Sequence, residues 1–228
     1  MKMMNHVFYI FFLLSSVIVA ANDSTNLVKY TPDFNFVDGI FLDFDQVKKN
    51  TPVDKARILT TLDYNDNDFF NKITSESIFS FHNNVGEKFD IPVKTIWGYA
   101  DNGVLYKKVN QNFYRVTIVG AICHFVAYVT SYSYNSRPYY NSYDYYNYGY
   151  SPAYKNENTD LKQYIIDFKT GKTLEYNTKN LEVLLMQDPE LYDEYISLRK
   201  KKKNQLKFTY IRKFNERNPI YFPLNTIF

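Results

Sequence analysis

The sequence predicts an α+β fold, in which an antiparallel β-sheet of hairpins is followed by two C-terminal helices. Apolar and polar residues alternate along short segments, and turn sequences such as Asn102-Gly103 separate neighbouring segments. Beyond residue 178, apolar residues instead recur at helical spacing. Apolar residues make up 45% of the chain, which is enough to bury the core of one domain.

The first part of the chain is expected to contain short strands and one short helix. Asp45 is placed to cap a helix that ends at Asn50, because Thr51-Pro52 disfavours its continuation. The expected strands in this part are Phe36–Phe44, Ser77–His82 and Lys88–Val93, and Ala56–Leu62 is a further apolar run.

The middle of the chain has the clearest strand pattern. Asn102-Gly103 lies between two apolar runs, as in a two-residue β-hairpin, and Asn110–Asn112 and Lys169–Lys172 mark further turns. Phe113–Thr130 is expected to form one long strand or two strands that bend at Gly120. Both faces of this segment are largely apolar, so it should lie inside the sheet and not at its edge.

A tyrosine-rich insert, residues 131–158, is expected to form a long loop between β elements. Eleven tyrosines lie between Tyr128 and Tyr154, mixed with polar residues and without strand or helix periodicity. Tyrosine gives a large contact area at low entropy cost, so the loop is a candidate binding surface for an envelope protein or a glycan. The alternative is an insert that only covers the sheet. The candidate contact residues are Tyr139, Tyr140, Tyr143, Tyr145, Tyr146 and Tyr148.

The C-terminal region, residues 178–217, is expected to be helical. Thr178 is placed to cap a first short helix, and Asp188-Pro189 has the residues typical of the start of a second. In the second helix acidic residues come early and basic residues late, which suits the helix dipole. Asn218-Pro219 is expected to end it.

The segment from Arg199 to Arg217 carries nine Lys and Arg residues against one acid, Glu216. Such a helix face could contact an acidic partner or the headgroups of an anionic membrane surface. The alternative is a solvated helix face. The candidate contact residues are Arg199, Lys200, Lys201, Lys202 and Lys203.

Residues 1–21 have the pattern of a secretory signal peptide, with Lys2, an apolar run and small residues before a cleavage site at Asn22. An uncleaved anchor is the alternative. Loss of Lys2 lowers the formal net charge from +3 to +2, which gives no bulk attraction to polyanions. We therefore expect an exported protein of the periplasm or cell surface that binds no nucleic acid. Residues 22–35 are expected to be a flexible lead-in, and residues 36–228 a single domain.

Catalytic side chains form no recognisable site in the sequence. Cys123 and His124 are adjacent, but neighbours on a strand point to opposite faces, so the imidazole is badly placed to deprotonate the thiol. Asp43 and Asp45 share a predicted strand face, and His82 is a candidate base. The sequence favours a non-catalytic binding or structural role. The alternative is an exported hydrolase or peptidase that uses Asp carboxylates or Cys123.

The sequence predicts no cofactor and no metal centre. The polar run Asp63–Asp68 places oxygen ligands at alternate positions of a calcium loop, but Asp68 stands where glycine is required and Thr74 where glutamate is required. Local Asx turns are the expected structure, with a looser Ca²⁺ site as the alternative. The single cysteine, Cys123, excludes an internal disulfide framework.

Three stretches of the chain carry a family resemblance. They are Asp38–Phe44 with Lys48–Asn50, Ile96–Tyr99 with Asn102–Tyr106, and Asp188–Tyr192 through Phe214–Pro219. Together they resemble a family of small exported proteins from Bacteroidetes-type bacteria with no established activity. The resemblance implies a Gram-negative envelope location and assigns no functional residue.

Overall fold

The computed structural model describes residues 26–135 and 154–224. The predicted signal peptide, residues 1–21, lies outside the described residues. The helices are α1 (Phe44–Lys49), α2 (Phe69–Ser75), α3 (Thr178–Leu185), α4 (Pro189–Ile196) and α5 (Lys200–Arg217). The strands are β1 (Leu27–Lys29), β2 (Gly39–Phe41), β3 (Val53–Asp54), β4 (Ile78–His82), β5 (Lys88–Pro92), β6 (Gly98–Asp101), β7 (Val104–Val109), β8 (Asn112–Ile118), β9 (Ile122–Asn135), β10 (Tyr154–Asp167), β11 (Thr173–Glu175) and β12 (Tyr221–Pro223).

An eight-stranded antiparallel sheet dominates the fold, in the order β11-β10-β9-β8-β7-β6-β2-β3. Each strand from β6 to β10 pairs with the next strand along the chain, which confirms the α+β prediction of a sheet built from hairpins. Asn102 and Gly103 have φ angles of 50° and 73°, as the tight turn between β6 and β7 requires. The bent segment around Gly120 forms β8 and β9, and β9 lies between two partner strands as its apolar faces predicted.

The two faces of the sheet are buried by different elements. The front face is covered by the two-stranded sheet of β1 and β12, together with α1. The back face is covered near β2 and β6 by α2 and the β4–β5 hairpin, and near β9 and β10 by α3, α4 and α5. Front-face core residues include Phe41, Leu105, Val116, Cys123, Phe125 and Ile166, and back-face core residues include Ile40, Tyr99, Ile122 and Ile165.

Asn215 of α5 joins the helices to the sheet. Its side-chain amide donates to the carbonyl of Ile122 at 2.9 Å and accepts from the Ile122 amide at 2.8 Å. These two bonds take the place of a neighbouring strand at the point where the β8–β9 register shifts. Gly120 makes room for the contact, because a Cβ at that position would collide with the Asn215 amide.

The helix after β2 begins earlier than its sequence predicts. The expected strand Phe36–Phe44 is reduced to the three residues of β2, and Asp43, not Asp45, caps α1. The Asp43 carboxylate accepts from the Gln46 amide at 2.8 Å. The Gln46 side chain accepts in return from the Leu42 amide at 2.7 Å, so the two ends of this capping pair fix the start of the helix.

The predicted second C-terminal helix is two helices, so the region 178–217 contains α3, α4 and α5. The chain turns at Ser197–Arg199, where the Ser197 hydroxyl donates to the carbonyl of Glu194 at 2.7 Å. No glycine or proline marks this break, which is why the periodicity runs through it. The interpretation that the basic residues suit a helix dipole is therefore wrong. Lys200–Lys203 form the first turn of α5, where the dipole is positive and disfavours cations.

The predicted lead-in, residues 22–35, is ordered over its described part. Leu27–Lys29 form β1, which pairs with β12, and the rings of Tyr30 and Phe34 pack against Phe222. The structure thus has a strand in the segment that the sequence predicts to be flexible. Its few apolar residues are spread among polar ones, and a pairing partner almost two hundred residues away is not visible in local sequence.

The α4 and α5 helices are joined by a charge cluster that makes stability depend on pH. Asp188 caps α4, and Arg217 at the end of α5 donates to its carboxylate from Nε at 2.6 Å. Hydrogen bonding to Arg217 lowers the pKa of Asp188 below its usual 3.8. The ionised pair therefore stabilises the fold above the pKa of the unfolded carboxyl group, and this contribution is lost as pH falls through the lower folded value.

We expect Asp188→Asn to reduce the free energy of unfolding near neutral pH. The difference in free energy of unfolding between wild type and variant should become smaller on acidification. Urea unfolding from about pH 5 to about pH 2 measures this change. Glu190→Gln is the matched control, because Glu190 contacts the same Arg217 from an exposed position and should have a smaller effect. If the difference in free energy of unfolding between wild type and Asp188→Asn stayed constant across this pH range, the stabilising role of the ionised Asp188–Arg217 pair would be contradicted.

Candidate functional site

The β9–β10 hairpin extends far beyond the rest of the sheet. β8 pairs with β9 only as far as Phe125, and β9 then pairs with β10 alone as far as Asn135. We call the outer part the ribbon, and define it as Tyr128–Asn135 of β9 with Tyr154–Leu161 of β10. At the spacing of an extended strand it is roughly 25 Å long.

Among the ribbon residues whose burial is described, Tyr128–Ser131 and Glu157–Leu161, none is buried. Tyr128 and Leu161 are directly paired on the back face and are each 60% exposed. On the other face, Ser131, Asn158 and Asp160 are also exposed. A two-stranded ribbon is at best marginally stable in water. A cross-strand pair of side chains adds at most about 1 kcal/mol to it.

The ribbon is anchored where it leaves the body. The Tyr114 hydroxyl of β8 donates to the carbonyl of Tyr128 at 2.8 Å, and the hydroxyls of Thr130 and Thr159 bond across the two strands at 3.0 Å. These contacts fix the inner end of the ribbon, while no buried cluster of the described residues includes Tyr128 or Leu161.

His124 supports the base of this hairpin from the back face. Its Nε2 bonds Gln163 of β10 at 3.1 Å and its Nδ1 bonds Thr117 of β8 at 3.1 Å. The rings of Tyr176 and Phe208 pack edge-on against it. Burial lowers the pKa of His124, so the imidazole is neutral at pH 7 and links α5 to the sheet.

The predicted tyrosine-rich loop, residues 131–158, overlaps the described residues only at its two ends. Ser131–Asn135 and Tyr154–Asn158 were expected to be loop but are strand, so the predicted insert 131–158 is too long at both ends. The six candidate tyrosines, Tyr139, Tyr140, Tyr143, Tyr145, Tyr146 and Tyr148, lie outside the described residues. Because Asn135 pairs with Tyr154, the segment that carries them starts and ends at the outer end of the ribbon.

The basic candidates lie at the start of α5. Arg199, Lys200, Lys201 and Lys202 are exposed and, within the described residues, make no ion pair. Lys203 differs, because it is partly buried and binds Glu182 of α3 at 2.8 Å. Lys213 and Arg217 are also paired with acids. Lys207 and the exposed Arg212 make no ion pair within the described residues, but Arg199–Lys202 is the one continuous stretch of unpaired basic residues among the described residues of α5 and its N-cap.

The candidate nucleophile Cys123 is enclosed by the front-face core. It is 2% exposed, and its thiol donates to the carbonyl of Gly120 at 3.3 Å. Burial raises the pKa of the thiol to about 12. His124 points to the opposite face of the sheet, as strand alternation predicts, so the two side chains do not form a catalytic pair.

The remaining polar candidates have local structural partners. Asp43 caps α1, Asp45 pairs with Lys48 at 2.6 Å, and His82 ends β4 at the surface. In the polar run, Asp63 accepts from the Asn65 amide at 2.9 Å, which is the Asx turn expected there. Across residues 26–135 and 154–224, no group of three or more Asp, Glu, His or Cys side chains is arranged to hold a metal ion.

Comparison with known proteins gives no relative from which a function could be transferred. No protein-family model matches the chain, and no curated protein or solved structure is significantly similar to it. The resemblance to small exported proteins of Bacteroidetes-type bacteria stays a prediction. Among the described helices, none combines the length and the apolar character needed to cross a bilayer.

Sequence reasoning found the tyrosine-rich segment but missed the ribbon that carries it. Leu161 was not singled out, because the outer half of β10 has no alternation of apolar and polar residues. The available signal was the run of β-branched and aromatic residues from Tyr128 to Tyr134, which favours a strand even where no face is buried.

Proposed function

We propose that the protein is an exported, non-catalytic binding protein of the cell envelope, and that the ribbon with the tyrosine-rich segment at its end is its contact surface. The observation that carries this proposal is the length of the ribbon beyond the sheet. Because none of the described side chains of the ribbon is buried, the extension contributes little to folding, and contact with a partner would offset the entropy cost of ordering it.

The chemistry of the surface favours an envelope protein or a glycan as the partner. The exposed pair Tyr128 and Leu161 offers apolar area, and the tyrosines beyond it add aromatic faces with hydroxyl groups. Within the described residues no third strand pairs with either strand of the ribbon, so backbone amides and carbonyls at its two edges can bond to an extended partner strand.

The exposed basic residues Arg199–Lys202 form a second contact surface in this proposal. Four cations at the positive end of a helix disfavour that helix, and an anionic surface nearby would relieve the repulsion. Each basic residue held near an anionic membrane contributes about 1 kcal/mol of binding. The alternative of an exported hydrolase or peptidase has no support in the geometry of Cys123, Asp43 or Asp45.

Shortening the ribbon tests the proposal. In the test variant, Ser131–Asn158 are replaced by Asn-Gly, so that Thr130 and Thr159 close a two-residue turn. We expect the purified variant to unfold at the same urea concentration as wild type. In co-sedimentation with envelope fragments of the cells that make the protein, we expect its affinity to fall at least about tenfold, the loss of about 1.4 kcal/mol of contacts.

The matched control changes charge and leaves the ribbon intact. Replacement of Lys200, Lys201 and Lys202 by Gln should lower binding less, and only at low ionic strength. Wild-type affinity in the shortened variant would refute the proposed contact surface. A shortened variant that fails to fold would show that the ribbon is part of the structural core.

A further inference from the structure

A second candidate site lies at the opposite end of the sheet, under the tip of the β4–β5 hairpin. The core-facing side of this hairpin carries Phe79 and Phe81 from β4, paired with Ile91 and Phe89 from β5. Phe79 and Phe81 are buried in the back-face core. Towards the tip, Phe89 remains 42% exposed although its ring stacks on that of Phe81.

The exposure of Phe89 reflects a cavity of about 600 Å³ between the hairpin tip and the segment from α1 to β3. Its apolar walls include Leu42, Val53, Phe81, Phe89 and Ile91. The volume falls within the range of about 300–1,000 Å³ that is typical of small-molecule sites. An apolar molecule in this space would complete the core that the hairpin only partly covers.

One cationic side chain, Arg57, lines the cavity. Its Nη2 donates to the carbonyl of Pro52 at 3.2 Å, and its Nη1 donates to the Asn84 side chain. These two bonds hold the guanidinium between β3 and the hairpin turn. Among the described residues no carboxylate forms an ion pair with it, and its remaining N–H groups have no protein acceptor there.

We propose that this cavity binds a small apolar molecule with a carboxylate group, and that Arg57 binds the carboxylate. A guanidinium presents paired N–H groups that match the two oxygens of a carboxylate, and partial burial strengthens the charge-assisted bonds. The apolar part of the ligand lies along Phe81 and Phe89. This site is separate from the ribbon and does not depend on the proposed function.

Titration calorimetry with dodecanoate tests the charge and the apolar part together. We expect wild-type protein to bind dodecanoate at least about tenfold more tightly than dodecanol, as expected for a charge-assisted hydrogen bond. Arg57→Gln should reduce dodecanoate binding to the level of dodecanol and leave dodecanol unchanged. Phe89→Ser, at a position that is 42% exposed, should weaken the binding of both ligands.

Arg115→Gln is the matched control, because Arg115 is exposed on β8 away from the cavity. It should leave the affinity for both ligands unchanged. No binding of dodecanoate to the wild type would overturn the proposal. Equal affinity for dodecanoate and dodecyltrimethylammonium would also overturn it. An Arg57→Gln variant that folds and still prefers dodecanoate to dodecanol would overturn it as well.

Discussion

Phe222→Ala is expected to lower the free energy of unfolding by about 3–5 kcal/mol. Phe222 is 0% exposed, and its ring stacks on Phe34 at 4.5 Å between centroids and meets Phe168 edge-on at 5.6 Å. Truncation would leave a cavity among aromatic rings that belong to Phe168, the residue after β10, and to the segment after β1. The surrounding rings are large and rigid, so the site is poorly able to collapse around the loss.

Urea unfolding measures this effect, with Tyr221→Ala as the matched control. Tyr221 is the preceding residue on the opposite face of β12 and is 49% exposed, so its truncation should change stability by less than about 0.5 kcal/mol. A loss below about 1 kcal/mol for Phe222→Ala would mean that β12 does not close the front-face core.

Asn215→Ala is expected to lower the free energy of unfolding by about 2–4 kcal/mol. The change leaves both the amide and the carbonyl of Ile122 without their partners, in a residue that is fully buried. An unsatisfied buried group costs more than the hydrogen bond itself contributes to stability. Asn204→Ala, on an exposed position of α5, is the control and should be nearly neutral.

A double-mutant cycle with Gly120→Ala tests whether this contact is direct. In wild type the new methyl group collides with the Asn215 amide, so Gly120→Ala should be strongly destabilising. In the Asn215→Ala background the collision is absent and the added cost should be smaller, with a coupling energy of about 1–3 kcal/mol. Independent, additive effects would contradict the close approach of α5 to the β8–β9 turn.

The sheet could be predicted largely from local sequence. Asn102-Gly103 and the turn at Gly171 each need backbone conformations that few residues adopt, and both define hairpins that the structure confirms. The two apolar faces of the Phe113–Thr130 segment likewise placed β9 inside the sheet. Each of these signals lies within a few residues of the feature that it predicts.

Features that depend on distant residues could not be predicted in the same way. The Asn215 contact with Ile122 spans 93 residues, and β1 finds its partner at the other end of the described chain. At the break before α5, the Ser197 hydroxyl donates to the carbonyl of Glu194. The glycine or proline that usually marks a helix end is absent from this break. The Arg57 cavity combines three segments, none of which carries a motif.

For the candidate site, composition was informative and periodicity was not. The tyrosine-rich segment was evident from its residue content, but the ribbon beneath it lacks the alternation that comes from burying one face. The placement of Cys123 and His124 on opposite faces of the sheet could also be predicted, because strand geometry alone sends adjacent side chains to opposite faces.

Hydrogen–deuterium exchange of the full-length protein, with and without envelope fragments, tests the central claim most directly. If the ribbon is the contact surface, amide exchange should slow in residues 128–135 and 154–161 on binding, and should not change in β4, β5 or the outer strand β3. Slowed exchange confined to Arg199–Lys203, or spread evenly over the fold, would contradict the assignment of the ribbon as the contact surface.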